Sequence, residues 1–464
     1  MSLAEKIYNH SPIFIQNLLI TAYGYRLKKA RYTQRFHHYC SSLIESQHYS
    51  SDKLRELQEK RFQKVLSESL PHVPFYQSIL KEKALSPSEI NLNNYTSVFP
   101  VLTKEILRNN QHAFVNSQKQ PHKTETINTS GTSGTPLSIT TTTDTLQQNY
   151  AFFNRCLSWA GVKHGDRCAT FAGRVFISPT QNKAPYWRYN HASNAMLCSS
   201  YHISSQTIPS YIRALEKFDP VYIDSYPSAL YEIAKYINQT GLNHTIRPKC
   251  IITSSETLFD YQRAALEQAF HCKVYDHLGS AEMVTLISQC EHGQYHFNPE
   301  FGLFEILDED DAPVATGTPG RLICTSLINP AMPLIRYELG DSVTLSPDSC
   351  ECGRHFPVVA SLVGRTDDMI IGCDGRRIGR LDPIFKKMSS EIKETQIIQN
   401  DLTNITLKIV ADDNYDKKLT NNIIDELKIR IGDCIQYHVE YVDTIPKTRS
   451  GKFRAVVSLI DTAQ

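Results

Sequence analysis

The sequence has almost no charge to spare: 49 lysines and arginines stand against 48 aspartates and glutamates, a formal net charge of +1. So even a balance gives the chain no overall field that would gather nucleic acid or an anionic membrane, and no nucleic-acid partner is expected. An anionic small molecule must instead be held by local groups. A run of apolar residues long enough to cross a bilayer is also missing. The nearest stretch, Ile13 to Tyr25, is short and interrupted by Gln16, Asn17 and Gly24, with Arg26, Lys28, Lys29 and Arg31 at its end. It reads either as a helix packed on its own protein or as one touching a membrane only peripherally, from the interface. The first ten residues lack the basic, apolar, small-residue order of an export signal. The expected compartment is therefore the cytoplasm, where 12 cysteines are read as metal ligands or small apolar residues before disulfides. Internal repeats and low-complexity linkers are absent too.

What is present is ordinary globular material. With 464 residues, 41% hydrophobic and 21% charged, two or three domains with a large core are expected. Residues 1–80 read as a helical segment, with Leu54, Leu57, Arg61, Val65 and Leu66 near a 3.6-residue spacing and Pro71 and Pro74 ending it. From residue 81 to 365, short β-rich runs (Val221 to Asp224, Lys249 to Thr253, Lys273 to His277) alternate with helical ones (Ser210 to Phe218, Ser228 to Gln239, Asp260 to Phe270). That alternation predicts an α/β domain with parallel sheet, turning β-rich from Phe304 to Ser346. Residues 366–464 read as a small α+β domain, with strands near Thr406 to Val410 and Tyr437 to Val442 and a helix near Tyr415 to Arg430.

The most informative stretch is Thr129-Ser130-Gly131-Thr132-Ser133-Gly134-Thr135-Pro136. Two glycines let backbone approach a phosphate closely, and five hydroxyls can donate to its oxygens. No lysine follows as in the GxxxxGK[ST] loop. The octet suits a flexible cover over the β- and γ-phosphates of ATP.

Four further motifs follow in order: Gly279-Ser280-Ala281-Glu282, Arg336-Tyr337-Glu338-Leu339-Gly340-Asp341, Gly364-Arg365-Thr366-Asp367-Asp368 and Gly451-Lys452. Together with the octet they resemble the ordered core motifs of the adenylate-forming (AMP-binding) superfamily. Pro185-Tyr186-Trp187-Arg188-Tyr189-Asn190, Ser200-Tyr201-His202 and Tyr226-Pro227-Ser228-Ala229-Leu230 are similar to the phenylacetate–CoA ligase group and, within it, to CapK-like proteins of capsular polysaccharide biosynthesis. The resemblance runs from about Val73 to Arg454. It implies a large domain with parallel sheets and a small mobile C-terminal lid. It also implies an AMP-forming ligase that joins a carboxylic acid to ATP and passes the acyl group on. CoA is the acceptor it implies first, and an amine on a sugar or amino acid is the alternative.

Residue by residue, the resemblance gives Glu282 a Mg²⁺ to hold against the phosphates, work suited to a hard oxygen ligand. Asp341 accepts hydrogen bonds from the ribose hydroxyls. Arg365 lies near ribose and α-phosphate, Asp367 is the hinge, and Lys452 reaches the carboxylate and α-phosphate when the small domain closes. Ser254, Ser255, Glu256 and Asp276 contact adenine or line the acyl pocket, and His202 sits by the acyl carboxylate. Leu278 and Ala281 stand where the family has an aromatic residue and a threonine, which makes Ser280 the candidate hydroxyl. Arg174, after Gly173, is a further candidate for an anionic group of the substrate.

Cys290-x5-His296 and Cys350-x-Cys352-Gly353 form a separate set. Three thiolates and an imidazole suit a closed tetrahedral structural Zn²⁺ site, as occurs in some phenylacetate–CoA ligase relatives. His292 is the other histidine within reach. Two readings from other classes also fit the sequence. One is a binding module that keeps the fold without the activity; the other is an assembly factor at a membrane.

Overall fold

A computed structural model of the chain describes residues 8–118, 124–128, 137–173, 176–178, 181–363, 370–372, 375, 377–378, 381, 384, 392–411, 415–446 and 455–460. The hydroxyl octet, Arg174, Arg365, Asp367 and Lys452 lie outside them.

The amino-terminal part is helical: α1 (Ile13–Arg31), α2 (Gln34–Ser46), α3 (Ser51–Glu68) and α4 (Pro74–Glu82). Ser50 and Thr33 cap α3 and α2 by accepting from backbone N–H groups. In α3, the periodic residues Leu54, Val65 and Leu66 are buried, joined by Phe62. A hairpin follows, β1 (Thr124–Asn128) against β2 (Ser138–Thr142), in register from Thr124↔Thr142 to Asn128↔Ser138. The hydroxyl octet is thus the chain that joins the two paired strands.

After α5 (Thr143–Trp159) comes the alternation expected from the sequence. Its elements are β3 (Cys168–Ala172), β4 (Trp187–Asn190), β5 (Ala195–Ser199), α6 (Ile208–Phe218), β6 (Tyr222–Ser225), α7 (Pro227–Thr240), β7 (Cys250–Ser254), α8 (Asp260–Phe270) and β8 (Lys273–Gly279). Strands β8, β7, β6, β3 and β5 are neighbours in that order and all parallel. Covered on both faces, β7 buries Cys250, Ile251, Ile252 and Thr253 in succession, as a central parallel strand does. Pro227 opens α7 at its first position and Gly241 closes it in the left-handed conformation.

The sheet then continues antiparallel through β9 (Leu286–Gln289), β10 (Tyr295–Phe297), β11 (Gly302–Leu307), β12 (Gly320–Ser326), β13 (Tyr337–Leu345) and β14 (Val358–Val363), making twelve strands among the described residues, with β4 at one edge and β11 at the other. The carboxyl-terminal residues form their own four-stranded sheet from β15 (Ile392–Gln399), β16 (Asn404–Ala411), β17 (Gln436–Tyr441) and β18 (Val456–Ser458). Helix α9 (Lys418–Ile431) supplies Ile423, Leu427 and Ile431 to its core. This is the α/β architecture expected, with a separate carboxyl-terminal domain.

Candidate active site

In an open parallel sheet, ligands bind outside the carboxyl ends of the strands, because loops and helix N-termini converge there. Five adjacent strands run parallel here, and each ends at a residue singled out above. Strand β3 ends before Gly173, β5 before Tyr201 and His202, β6 before Tyr226, β7 at Ser254 before Ser255 and Glu256, and β8 at Gly279 before Ser280 and Glu282.

The loop geometry is specific at each end. His202 Nδ1 is 2.7 Å from Ser199 Oγ, and its ring stacks on Tyr186 at 5.2 Å. Tyr201 donates to the Gly173 carbonyl at 2.9 Å, and a Cβ at Gly173 would lie 3.0 Å from the Tyr226 ring and 3.1 Å from Tyr201 Oη. Only glycine lets the chain after β3 pass between those two phenols without displacing one. Glu256 spends both carboxylate oxygens on the start of α7, accepting from Ser228 N at 2.9 Å and Ser228 Oγ at 3.0 Å. A carboxylate at a helix N-terminus is well placed, so this side chain fixes the α7 end of the cleft. Ser255 is held at φ 74°, a conformation rare for a residue with a Cβ, and so is Met283, next to Glu282, at φ 57°. Each such residue costs on the order of 1–2 kcal/mol. Both flank expected site residues.

Glu282 is 5% exposed and accepts from Tyr337 Oη at 3.1 Å. Tyr337 opens β13, which also carries Asp341, 8% exposed. Both carboxylates lie near the Cys324 thiol. Burial raises that thiol, a hydrogen bond with Thr285 lowers it, and the charges of Asp341, Glu305 and Glu282 raise it further. Close packing brings the Glu282 loop onto β11: a Cβ on Gly302 would stand 2.2 Å from the Val284 carbonyl oxygen.

Asp276 turns its carboxylate into the protein. It is buried inside β8, and its two oxygens accept from Thr253 Oγ1 at 2.6 Å and Tyr295 Oη at 2.9 Å. Burial raises its pKa and those two bonds oppose the rise. The geometry ties β7, β8 and β10 together rather than presenting the carboxylate to a ligand. Arg336, within the same motif as Asp341, is likewise engaged in the protein, on Glu305 at 2.9 Å and on the Phe99 carbonyl at 2.8 Å.

Next along β8, burial lowers the His277 pKa to about 4, partly offset by a backbone bond with Thr253. The unfolded value is near 6.5, so the histidine contributes stability that is present above about pH 6.5 and is lost as pH falls toward 4. A shift of that size corresponds to at most about 3 kcal/mol. The melting temperature of the wild type is expected to fall more steeply between pH 6.5 and 4.5 than that of His277→Asn. Parallel slopes would remove the assignment.

The Cys/His set comes together. Cys290, His296, Cys350 and Cys352 place their ligand atoms within 4.8 Å of one another. Cys290 Sγ is 3.7 Å from Cys350 Sγ, and Cys352 Sγ is 3.5 Å from His296 Nε2. Zinc–sulfur bonds of ~2.3 Å and zinc–nitrogen bonds of ~2.0 Å at tetrahedral angles give edges of ~3.8 and ~3.5 Å, so the donors fit that ion. His296 Nδ1 is 3.3 Å from the Phe356 carbonyl, a contact that turns Nε2 toward the thiols. His292, the alternative ligand, is instead exposed beside Glu351 at 3.7 Å. The set joins the β9–β10 turn to the loop between β13 and β14.

Sequence reasoning gave no role to several residues that shape this region. Tyr337 is one, and the Tyr201–Tyr226 pair is another. A third is Arg430 of α9, whose guanidinium lies 5.1 Å from the Tyr201 ring and brings the carboxyl-terminal domain onto the β5 end of the cleft. A fourth is the buried pair Arg155–Glu300, at 2.7 Å. Aromatic residues beside an expected histidine were the only available signal.

Residues 370–459 match the family described as the CapK C-terminal domain. The chain is 30% identical over 464 residues to Protein CapK of Staphylococcus aureus, covering 98% of this chain and 99% of that one. It is 22% identical over 449 residues to phenylacetate-coenzyme A ligase of Thermus thermophilus, covering 88% and 97%. Among solved structures, 2-hydroxyisobutyryl-CoA ligase in the postadenylation state with 2-HIB-AMP aligns with a TM-score of 0.57 at 20% identity, over 89% of this chain and 90% of that one. The same ligase with 2-HIB-AMP and CoA in its thioesterification state gives 0.57 at 18%, over 89% and 91%. These two structures share the fold.

Proposed function

The chain belongs to the CapK family of adenylate-forming ligases, and on that footing we propose that it activates a carboxylic acid with ATP and transfers the acyl group to CoA. One carboxylate oxygen of the acid attacks the α-phosphorus, the bond to the bridging oxygen breaks, and pyrophosphate leaves. The CoA sulfur then attacks the acyl carbon of the acyl-AMP, and AMP departs. Nucleotidyl transfer of this kind depends on positioning and on neutralising charge.

The observation that carries the reading is the convergence of widely separated motif residues on the carboxyl ends of five neighbouring parallel strands. In this reading Thr129, Ser130, Gly131, Thr132, Ser133, Gly134 and Thr135 cover the β- and γ-phosphates from the β1–β2 hairpin. Asp341 accepts from the ribose hydroxyls, and Ser255 and Ser280 line the nucleotide side. Glu282 would hold Mg²⁺, which supplies charge neutralisation at the phosphates. His202, oriented by Ser199 and Tyr186, faces the acyl carboxylate. Arg365 and Lys452 contribute positive charge from the junction and from the carboxyl-terminal domain, which turns about Asp367 between the two half-reactions. The test is trapping with hydroxylamine across a panel of carboxylic acids with ATP. Hydroxamate together with AMP and pyrophosphate is expected for at least one acid. ADP and phosphate in their place would contradict the mechanism.

The Cys290, His296, Cys350, Cys352 set would hold one structural Zn²⁺. Cys350→Ser is expected to lose the ion and lower the melting temperature by several degrees, with about one zinc per chain in the parent by elemental analysis. A parent protein free of zinc would refute the site.

A further inference from the structure

Helix α1 is mounted with its polar side toward the protein. Gln16 Oε1 accepts from Arg188 Nε at 2.6 Å, Asn17 Oδ1 accepts from Tyr189 N at 3.0 Å, and Thr21 Oγ1 accepts from His191 N at 3.2 Å. Gly24 lies so close to the same wall that a Cβ there would stand 2.3 Å from Asn190 Oδ1. All these partners belong to β4 or the turn after it, so α1 covers the edge of the large sheet with hydrogen bonds, not with apolar packing. Beside that contact the helix is apolar and open: Phe14 is 70% exposed, Leu18 67% and Tyr25 58%. Spacings of four and seven residues put the three on one stripe, about 16 Å long at 1.5 Å per residue. This arrangement reverses the usual one for a surface helix, whose apolar stripe faces the core.

Charge gives a second, independent observation. There is no aspartate or glutamate from residue 8 to residue 44, although the whole chain is balanced. Of the cations in that span, Arg35 pairs with Asp144 at 3.1 Å and Arg31 lies over the Tyr150 ring at 4.6 Å. Arg26, Lys28 and Lys29 are exposed at the end of the apolar stripe. A second copy of the chain would set these cations against a helix with no acid to meet them. A layer of phosphates above an apolar interior matches both features, because basic side chains near an anionic surface are held by it. No described helix is long and apolar enough to cross a membrane, so α1 would lie in the interface plane.

We propose that α1 docks the protein on an anionic phospholipid bilayer, with Phe14, Leu18 and Tyr25 in the acyl boundary and Arg26, Lys28 and Lys29 on the headgroup phosphates. The test is co-sedimentation of the full chain with phosphatidylcholine vesicles, with and without phosphatidylglycerol. The wild type is expected to pellet with the anionic vesicles, less so at high salt. Phe14→Ser with Leu18→Ser should reduce partitioning at least about tenfold, since burial of each apolar side chain favours the bound state. Lys28→Glu with Lys29→Glu should reduce it comparably. All four side chains are exposed, so both double variants should melt as the wild type does. The proposal is overturned if the wild type stays in the supernatant, or if the first double variant pellets undiminished. It is also overturned if the lipid-free wild type is a dimer that Phe14→Ser with Leu18→Ser makes monomeric, which would assign the face to a second copy.

Discussion

Glu282→Gln is expected to lower carboxylate-dependent ATP–pyrophosphate exchange roughly 10²–10³-fold, as removal of one well-placed electrostatic group from a shielded site does. The substitution keeps the size of the side chain and an oxygen able to accept from Tyr337, so the loop beside Met283 should hold its shape. What disappears is a negative charge in a place where water cannot replace it, since the residue is 5% exposed. Tyr337→Phe separates the two contributions. It removes the 3.1 Å hydrogen bond to Glu282 while keeping the ring and the charge of Glu282, and should cost far less, on the order of tenfold, by loosening the carboxylate. Equal losses for the two variants would mean that orientation, not charge, is what Glu282 supplies. No loss from either would remove Glu282 from the site.

The second large effect concerns stability. Arg155→Met is expected to destabilise the protein by about 3–5 kcal/mol, because it leaves the Glu300 carboxylate buried without its partner. Arg155 and Glu300 are 1% and 0% exposed in their side chains. Burial alone would raise the Glu300 pKa, but the charge and hydrogen bonds of Arg155 and a bond from Ser46 outweigh it and hold the group below the usual carboxylate range. This cluster fastens α2, α5 and the segment before β11 to one another, since Arg155 also donates to the Leu43 carbonyl at 3.2 Å. Trp159 fluorescence during urea unfolding, read in a Trp187→Phe background because the chain has two tryptophans, reports the region directly. Arg155→Met with Glu300→Leu should recover much of the loss, because an apolar pair leaves no orphaned charge. A single variant within about 1 kcal/mol of the wild type would contradict the assignment.

Much of the fold was legible in the sequence because it is written in local patterns. Ser210 to Phe218, Ser228 to Gln239 and Asp260 to Phe270 are the cores of α6, α7 and α8, and the run Lys249 to Thr253 becomes β7 with a shift of one residue. The helix expected from Tyr415 begins instead at Lys418. Strand β15, Ile392-Lys-Glu-Thr-Gln-Ile-Ile-Gln399, went unread because charged and amide residues interrupt its apolar pattern, and pairing with β16 and β18 fixes it as a strand. Nor could periodicity show that the antiparallel strands continue the parallel sheet through the single β8–β9 contact.

The site divides the same way. Its candidate residues are named by motif, but what each side chain touches depends on contacts far apart in sequence. The carboxylate of Asp276, expected beside a ligand, accepts from Tyr295 and Thr253, and the partners of Arg155 lie more than a hundred residues away along the chain. The choice between His292 and His296 turned on which one β10 carries toward the thiols, and that follows from the pairing with β9 and β14.

A crystal structure of the protein with a non-hydrolysable ATP analogue and Mg²⁺ tests the central claim most directly. The account predicts the ribose on Asp341, the metal against Glu282, and the triphosphate beneath the turn from Asn128 to Ser138, outside the carboxyl ends of β7 and β8. Nucleotide found anywhere else on the chain, with Asp341 and Glu282 untouched, would contradict it.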